Sequence, residues 1–179
     1  MAISIFLLSL KGGIGKSKFA YKLSKLLSRN FLSVLLIDND SLHTLSTILG
    51  HYGNGLLDGC EISSSLKKID DFYLLKLRDN PISVLYDEKY DRLRSVLSKK
   101  WDFIVIDNYI GINESNAFVK NVYEVSERKI GIFLTDYLTL DITFNYMRIW
   151  NNLDHKFVVL INENNNYNCS YNQLLYAIL

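Results

Sequence analysis

The residues best suited to chemistry stand together at positions 11–17, which read Lys-Gly-Gly-Ile-Gly-Lys-Ser. Glycines permit backbone conformations closed to other residues, and the unpaired N–H groups at a helix start attract an anion. In such a loop Lys16 would reach the terminal phosphates of a nucleoside triphosphate, and the Ser17 hydroxyl would bind Mg²⁺. The alternative is a glycine turn without a ligand. The Lys16-Ser17 pair and the flanking strand and helix patterns favour the phosphate site.

Two further segments end in carboxylates. The apolar residues 33–37 lead into Asp38-Asn39-Asp40, and the apolar residues 103–106 lead into Asp107. Short apolar runs are typical of strands buried on both faces, and parallel sheets bind ligands at the carboxyl ends of their strands. Asp107 would there hold Mg²⁺ through water. Asp38 and Asp40 have a second interpretation, as turn or N-cap acids before a helix predicted over residues 42–49.

Alternating strand and helix patterns predict the elements that position these residues. Alternation of this kind requires right-handed crossovers and a mainly parallel sheet covered by helices on both faces. We therefore expect a single α/β domain over residues 1–179. Residues 43–69 are predicted to form a helix, a loop and a short helix. Six strands are expected, at residues 3–8, 33–37, 72–77, 103–106, 129–134 and 156–161.

Composition limits the classes of protein that the chain could belong to. Its 179 residues carry 20 Lys and Arg against 19 Asp and Glu, so no global field attracts nucleic acid or a membrane. The apolar runs are too short to span a bilayer, and the N-terminus lacks a signal-peptide pattern, so a cytoplasmic location is expected. Cys60 and Cys169 lack metal-type spacing and are interpreted as inert thiols.

Two groups of polar residues have no clear role in this pattern. His43 and His51 are interpreted as surface or capping residues, because no third ligand stands at a suitable spacing. The richest basic cluster lies on the helix predicted over residues 86–99 and just beyond it. A solvated helix face and a DNA contact are both open interpretations of that cluster, which comprises Arg92, Arg94, Lys99 and Lys100.

The second lysine of the loop, Lys11, gives the chain its resemblance to a family. Lys-Gly-Gly-Ile-Gly-Lys-Ser resembles the deviant Walker A motif of the ParA/MinD ATPases, which are P-loop NTPases. The strand ending in Asp38-Asn39-Asp40 resembles the family's second signature, and Asp102 and Asp107 resemble its third. Three departures stand beside these matches: Ser41-Leu42 and Asn108-Tyr109 replace residues that usually include proline, and Lys18 replaces a small hydroxyl residue.

The resemblance implies ATP and Mg²⁺ as cofactors, and it implies roles for individual residues. Lys11 would reach the nucleotide of a facing subunit, Asp40 would orient or deprotonate the attacking water, and Asn162 would recognise adenine. The remaining residues implied in nucleotide binding are Gly12, Gly13, Ile14, Gly15, Lys16, Ser17 and Lys18. Those implied at the metal are Ser17, Asp38 and Asp107.

The function implied is a slow ATPase switch that forms a homodimer with ATP and acts in DNA partition. Nonspecific DNA and a protein that stimulates hydrolysis are its expected partners. An alternative is a compact nucleotide-binding module with weak or no hydrolysis that controls a protein partner. A small-molecule kinase is a third option, for which the sequence offers no recognisable acceptor pocket.

Overall fold

The computed structural model describes residues 2–30, 32–40, 42–78, 87–161, 167–168 and 170–178. Within them a seven-stranded sheet forms the centre of the molecule, with the strand order β3-β4-β2-β5-β1-β6-β7. Neighbouring strands are parallel except for the antiparallel pair β3 and β4. The strands are β1 (Ala2–Leu8), β2 (Val34–Asn39), β3 (Leu66–Ile69), β4 (Phe72–Lys76), β5 (Phe103–Asn108), β6 (Ser126–Thr135) and β7 (His155–Leu160).

Helices cover both faces of the sheet, because its central strands are apolar on each side. One layer contains Phe19, Leu23 and Leu27 of the first helix, and the other contains Phe118 and Trp150. The expected mainly parallel α/β architecture is confirmed. The helices are α1 (Lys16–Ser28), α2 (Thr44–Ile48), α3 (Ile62–Ser65), α4 (Asp87–Leu97), α5 (Ala117–Val125), α6 (Leu140–Arg148) and α7 (Tyr171–Ile178).

The sheet agrees with the prediction of about six strands and adds one strand, β3, that the sequence analysis assigned to a helix. Residues 66–69 were expected in a short helix, but only Ile62–Ser65 are helical, and Leu66–Ile69 pair with β4. Asp70, whose φ is 48°, occupies the left-handed region in the tight turn between the two strands. The exposed Lys67 and Lys68 suit an edge strand, where charge opposes further pairing. Four residues without clear alternation gave too little signal for a strand.

The basic cluster near α4 is partly used inside the molecule. Arg92 donates hydrogen bonds to the carbonyl oxygens of Gly59 and Cys60, at 2.9 and 2.8 Å. Arg94 donates to Asn121 and also pairs with Asp91. Lys99 and Lys100 are exposed. Two of the four cations therefore stabilise neighbouring elements.

Across the described ranges, no helix combines the length and apolar character that crossing a bilayer requires.

Candidate nucleotide-binding site

A pocket of about 720 Å³ opens at the carboxyl ends of the central strands. This is the edge at which the sequence predicts that the glycine loop and the strand-end acids converge. The loop follows β1. Asn39 is the last residue of β2 and Asp40 comes directly after it, and β5 lies between β2 and β1 in the sheet. The lining residues are Lys11, Gly12, Gly13, Ile14, Gly15, Lys16, Ser17, Lys18, Asn39, Asp40, Leu42, His43, Thr44, Ile48, Arg78, Tyr109 and Ile110.

The loop needs glycine at two positions. Gly13 and Gly15 have φ of 70° and 85°, in the left-handed region that side chains disfavour. Gly15 is the N-cap residue of α1, and no acidic side chain occupies the first turn. The side chain of Ile14 is buried in the apolar layer beneath α1 and anchors the loop. The positive end of α1 thus remains available to an anion at the pocket floor.

Lys16 makes a buried ion pair with Asp107. Its Nζ lies 2.8 Å from Asp107 Oδ1, and the two side chains are 8% and 0% exposed. Burial raises the pKa of Asp107, while Lys16 and the Ser17 hydroxyl oppose this shift by favouring the carboxylate. The second carboxylate oxygen, Oδ2, is buried and has no hydrogen-bond partner in the described part of the chain. An unsatisfied buried oxygen beside a serine hydroxyl fits a hydrated Mg²⁺ ion.

Asp38 and Asp40 occupy different positions although they are two residues apart. Asp38 is fully buried, and its Oδ2 accepts hydrogen bonds from Ser46 N at 2.8 Å and Ser46 Oγ at 2.6 Å. Asp38 therefore ties α2 to the end of β2, and its role near the metal stays a prediction. Asp40 lines the pocket, and its carboxylate has no hydrogen-bond partner in the described ranges. That placement suits the predicted contact with water.

Lys11 at the pocket rim is held by a carboxylate that the sequence interpretation missed. Its Nζ lies 2.5 Å from Oδ2 of Asp136, just beyond the end of β6. Asp136 Oδ1 also accepts hydrogen bonds from Thr139 N at 2.9 Å and Thr139 Oγ1 at 2.7 Å. Hydrogen bonds from Lys11 and Thr139 lower the pKa of Asp136 to about 2. The sequence signal that could have identified Asp136 is its position directly after an apolar run, like that of Asp107.

The loop after β5, where the family usually has prolines, is fixed here by amides. Asn39 Nδ2 donates to Asn108 Oδ1 at 3.0 Å, and Asn108 Nδ2 donates to the carbonyl oxygen of Leu7 at 3.4 Å. The amide of Tyr109 donates to the carbonyl oxygen of Asn39 at 3.1 Å. The ends of β1, β2 and β5 are therefore bonded together at the pocket without the prolines.

Two other lining residues were not predicted for the site. His43 precedes α2 but makes no capping hydrogen bond with its side chain, which lines the pocket. Arg78, two residues beyond β4, also lines the pocket. Of the predicted residues, Asn162 lies outside the described ranges, as does Cys169, while Cys60 is a free thiol.

The fold and the pocket together define a class of protein. A glycine loop between the first strand and first helix of a parallel sheet, with acids at neighbouring strand ends, is the arrangement of P-loop nucleotide-binding proteins. A family model described as the CobQ/CobB/MinD/ParA nucleotide binding domain matches residues 5–143. The chain belongs to this family, as the resemblance of its loop indicated. No curated protein sequence gives a significant match.

Solved structures show the same fold. A plasmid partition protein from Borrelia burgdorferi is 24% identical, with a TM-score of 0.66 over 99% of this chain and 85% of that chain. A second B. burgdorferi structure, of a protein assigned to plasmid partition and bound to AMPPNP, is 23% identical, with a TM-score of 0.66 over 100% and 81%. The MinD cell division protein of Aquifex aeolicus is 19% identical, with a TM-score of 0.65 over 99% and 74%.

Proposed function

We propose that residues 1–179 form an ATPase switch that binds ATP with Mg²⁺, dimerises in that state and acts in DNA partition. The observation that carries the proposal is the meeting of the glycine loop, Lys16 and Asp40 at one pocket, with Asp107 buried beneath it and paired to Lys16. Lys16 leaves Asp107 for the terminal phosphates when ATP binds, and the loop amides bind the remaining phosphate oxygens. Asp40 orients the attacking water from the β2 side.

The metal fits this scheme through the residues already described. Mg²⁺ would supply neutralisation of the charge that develops on the phosphate oxygens. Ser17 would bind it directly, and Asp107 through water, since Asp107 Oδ2 is buried without a partner in the described ranges. When Lys16 moves to the phosphates, Asp107 would have the hydrated Mg²⁺ ion beside it as the positive charge that replaces Lys16. Asp38, bonded to Ser46, would hold the adjacent loop in place.

Two observations support a dimer across the nucleotide. Lys11 is 46% exposed, so it can exchange Asp136 for a group on a second subunit. Large exposed apolar side chains also surround the pocket or follow Asp136 directly, and such surfaces are typical of protein contacts. These side chains are Leu42, Ile48, Ile110, Tyr137 and Leu138. We therefore propose a second copy of this chain as the partner on this face.

A partition role is supported by the functions named for two similar structures, one of a plasmid partition protein and one of a protein assigned to plasmid partition. The expected partners are nonspecific DNA and a protein that stimulates hydrolysis. With nearly equal numbers of cations and anions in the chain, DNA must bind a local patch of the dimer.

Hydrolysis with and without duplex DNA tests this function. We expect slow phosphate release by the protein alone and faster release when nonspecific duplex DNA is added at low salt. The stimulation should fall as salt rises, because DNA contacts release counterions. Tight ATP binding with no turnover under either condition would contradict the ATPase and support a regulatory module that controls a protein partner.

The Lys11–Asp136 pair makes a prediction about dimer formation. Asp136→Asn keeps an oxygen for Thr139 but loses the charge that holds Lys11, so more dimer is expected with a slowly hydrolysed ATP analogue. Lys11→Ala should form less dimer while binding the analogue as well as the wild type does. Sedimentation at several salt concentrations measures both effects, and the gain in Asp136→Asn should shrink with salt. Equal dimer fractions in all three proteins would contradict the role of Lys11.

A further inference from the structure

Two side chains that line the pocket, Arg78 and His43, have buried nitrogen atoms without hydrogen-bond partners in the described part of the chain. The Nε atom of Arg78 and both ring nitrogens of His43 are buried and lack a hydrogen-bond partner among the described residues. Both side chains line the same pocket as the glycine loop. Buried polar atoms without partners are costly, and native proteins satisfy nearly all of them. Two such groups lining one pocket indicate a ligand that supplies hydrogen-bond partners there.

Strand register places Arg78 in line with the predicted phosphate residues. Asp38 pairs with Asp107 on one side and with Lys76 on the other. The amide of Leu77 donates to the carbonyl oxygen of Asp38 at 3.1 Å, so Arg78 comes level with Asp40. β4 and β5 are separated by two strand spacings, about 10 Å. Arg78 therefore approaches the Lys16–Asp107 position from the side opposite to β1.

Side-chain alternation directs Arg78 to the face that carries α1. Phe72 and Leu74 pack in the apolar layer beneath α1, whereas Leu75 and Leu77 pack in the opposite layer. Since alternate residues of a strand share a face, the side chain of Arg78 lies on the same face of the sheet as those of Phe72 and Leu74. α1 begins at the glycine loop, so this is the face on which a bound phosphate would lie.

Arg78 also differs from the other cations of the pocket in its surroundings. Lys11 and Lys16 each contact a carboxylate, at 2.5 and 2.8 Å, and Lys18 is exposed to water. Arg78 is partly buried and pairs with no carboxylate in the described ranges, although Asp40 lies at the same level. A guanidinium group in this situation suits an anion, and its planar fork binds phosphate through two N–H groups.

We infer that Arg78 binds the terminal phosphate of a nucleoside triphosphate held by the glycine loop of the same subunit. The inference rests on the proposed function and adds a residue that distinguishes triphosphate from diphosphate. Lys16 marks the position of the terminal phosphates, and Arg78 reaches that position from β4. ADP lacks this phosphate and leaves Arg78 without an acceptor. The contact therefore favours the ATP state of the switch.

Calorimetric titration with ADP and with a slowly hydrolysed ATP analogue tests this assignment. Arg78→Ala should weaken binding of the analogue about tenfold, as expected for losing a charged hydrogen bond, and leave ADP binding unchanged. Arg78→Lys keeps the charge but not the planar fork, so its affinity for the analogue should lie between those of the wild type and Arg78→Ala. Arg148→Ala is the matched control, because Arg148 is an exposed arginine on α6 outside the pocket lining.

Two results would overturn the assignment. Equal weakening of the analogue and ADP would indicate a structural role for Arg78, and no change in either affinity would show that it does not touch the phosphate. If Arg78→Ala does not fold, Arg78→Gln, which keeps much of the length without the charge, replaces it in the same titration. Failure of the proposed function is distinguishable, since the wild-type protein would then bind neither nucleotide.

Discussion

Replacing Lys16 with alanine is expected to weaken ATP binding about 100-fold, one of the two largest effects that we predict. The wild-type Nζ lies 2.8 Å from Asp107 Oδ1 at the base of the pocket and would move to the terminal phosphates. Losing charged hydrogen bonds there costs about 3 kcal/mol, which corresponds to about two powers of ten in affinity. Calorimetric titration with ATP and Mg²⁺ measures the loss.

This variant needs a folding control, because it leaves Asp107 buried without its cation. Removing one partner of a buried pair destabilises proteins, so the melting temperature of Lys16→Ala should fall. The titration is therefore made well below that temperature. Lys22→Ala, which removes an exposed lysine from the same helix, should bind ATP as the wild type does. Full ATP affinity in folded Lys16→Ala would refute the assignment of the loop.

Replacing Asp40 with alanine is expected to slow ATP hydrolysis about 100-fold while leaving ATP affinity nearly unchanged. A positioned carboxylate that orients or deprotonates water contributes at least this much to a rate. Asp40 lines the pocket, and its carboxylate has no hydrogen-bond partner in the described ranges, so little of the fold depends on it. Phosphate release at saturating ATP, together with sedimentation, should show an ATP-bound dimer that turns over slowly.

Asp40→Asn separates proton transfer from positioning. It keeps the size of the side chain and the backbone hydrogen bond from Asp40 N to Asp38 Oδ1, but it cannot accept a proton. Turnover as slow as that of Asp40→Ala would indicate a base, and intermediate turnover would indicate orientation of water. Unchanged turnover in both variants would place the catalytic role on another residue.

Most of the fold, and the placement of the central residues of the candidate site, could be predicted from the local sequence. Apolar runs at β1, β2 and β5 are long enough to identify as buried strands, and the glycine loop falls between β1 and α1, where backbone chemistry requires it. Because parallel strands end at one edge, the acids at positions 40 and 107 could be placed near the loop before any contact was known.

The rest depended on strand order and register, which short-range patterns do not contain. Arg78 belongs to the pocket because β4 lies beside β2, and Asp136 meets Lys11 because β6 lies beside β1. The sequence predicts a surface or capping role for His43, and only the position of α2 shows that His43 lines the pocket. The hydrogen bond from Ser46 to the carboxylate of Asp38, eight residues earlier in the chain, was likewise not visible in local patterns. Such partners are set by tertiary structure.

The most direct test of the account is the size of the wild-type protein with ADP and with a slowly hydrolysed ATP analogue, each with Mg²⁺, in the same sedimentation experiment. We predict a monomer with ADP and a dimer with the analogue, since we propose that Lys11 reaches the nucleotide of the second subunit only when the triphosphate is bound. A monomer in both conditions, with the analogue demonstrably bound, would contradict the proposed switch.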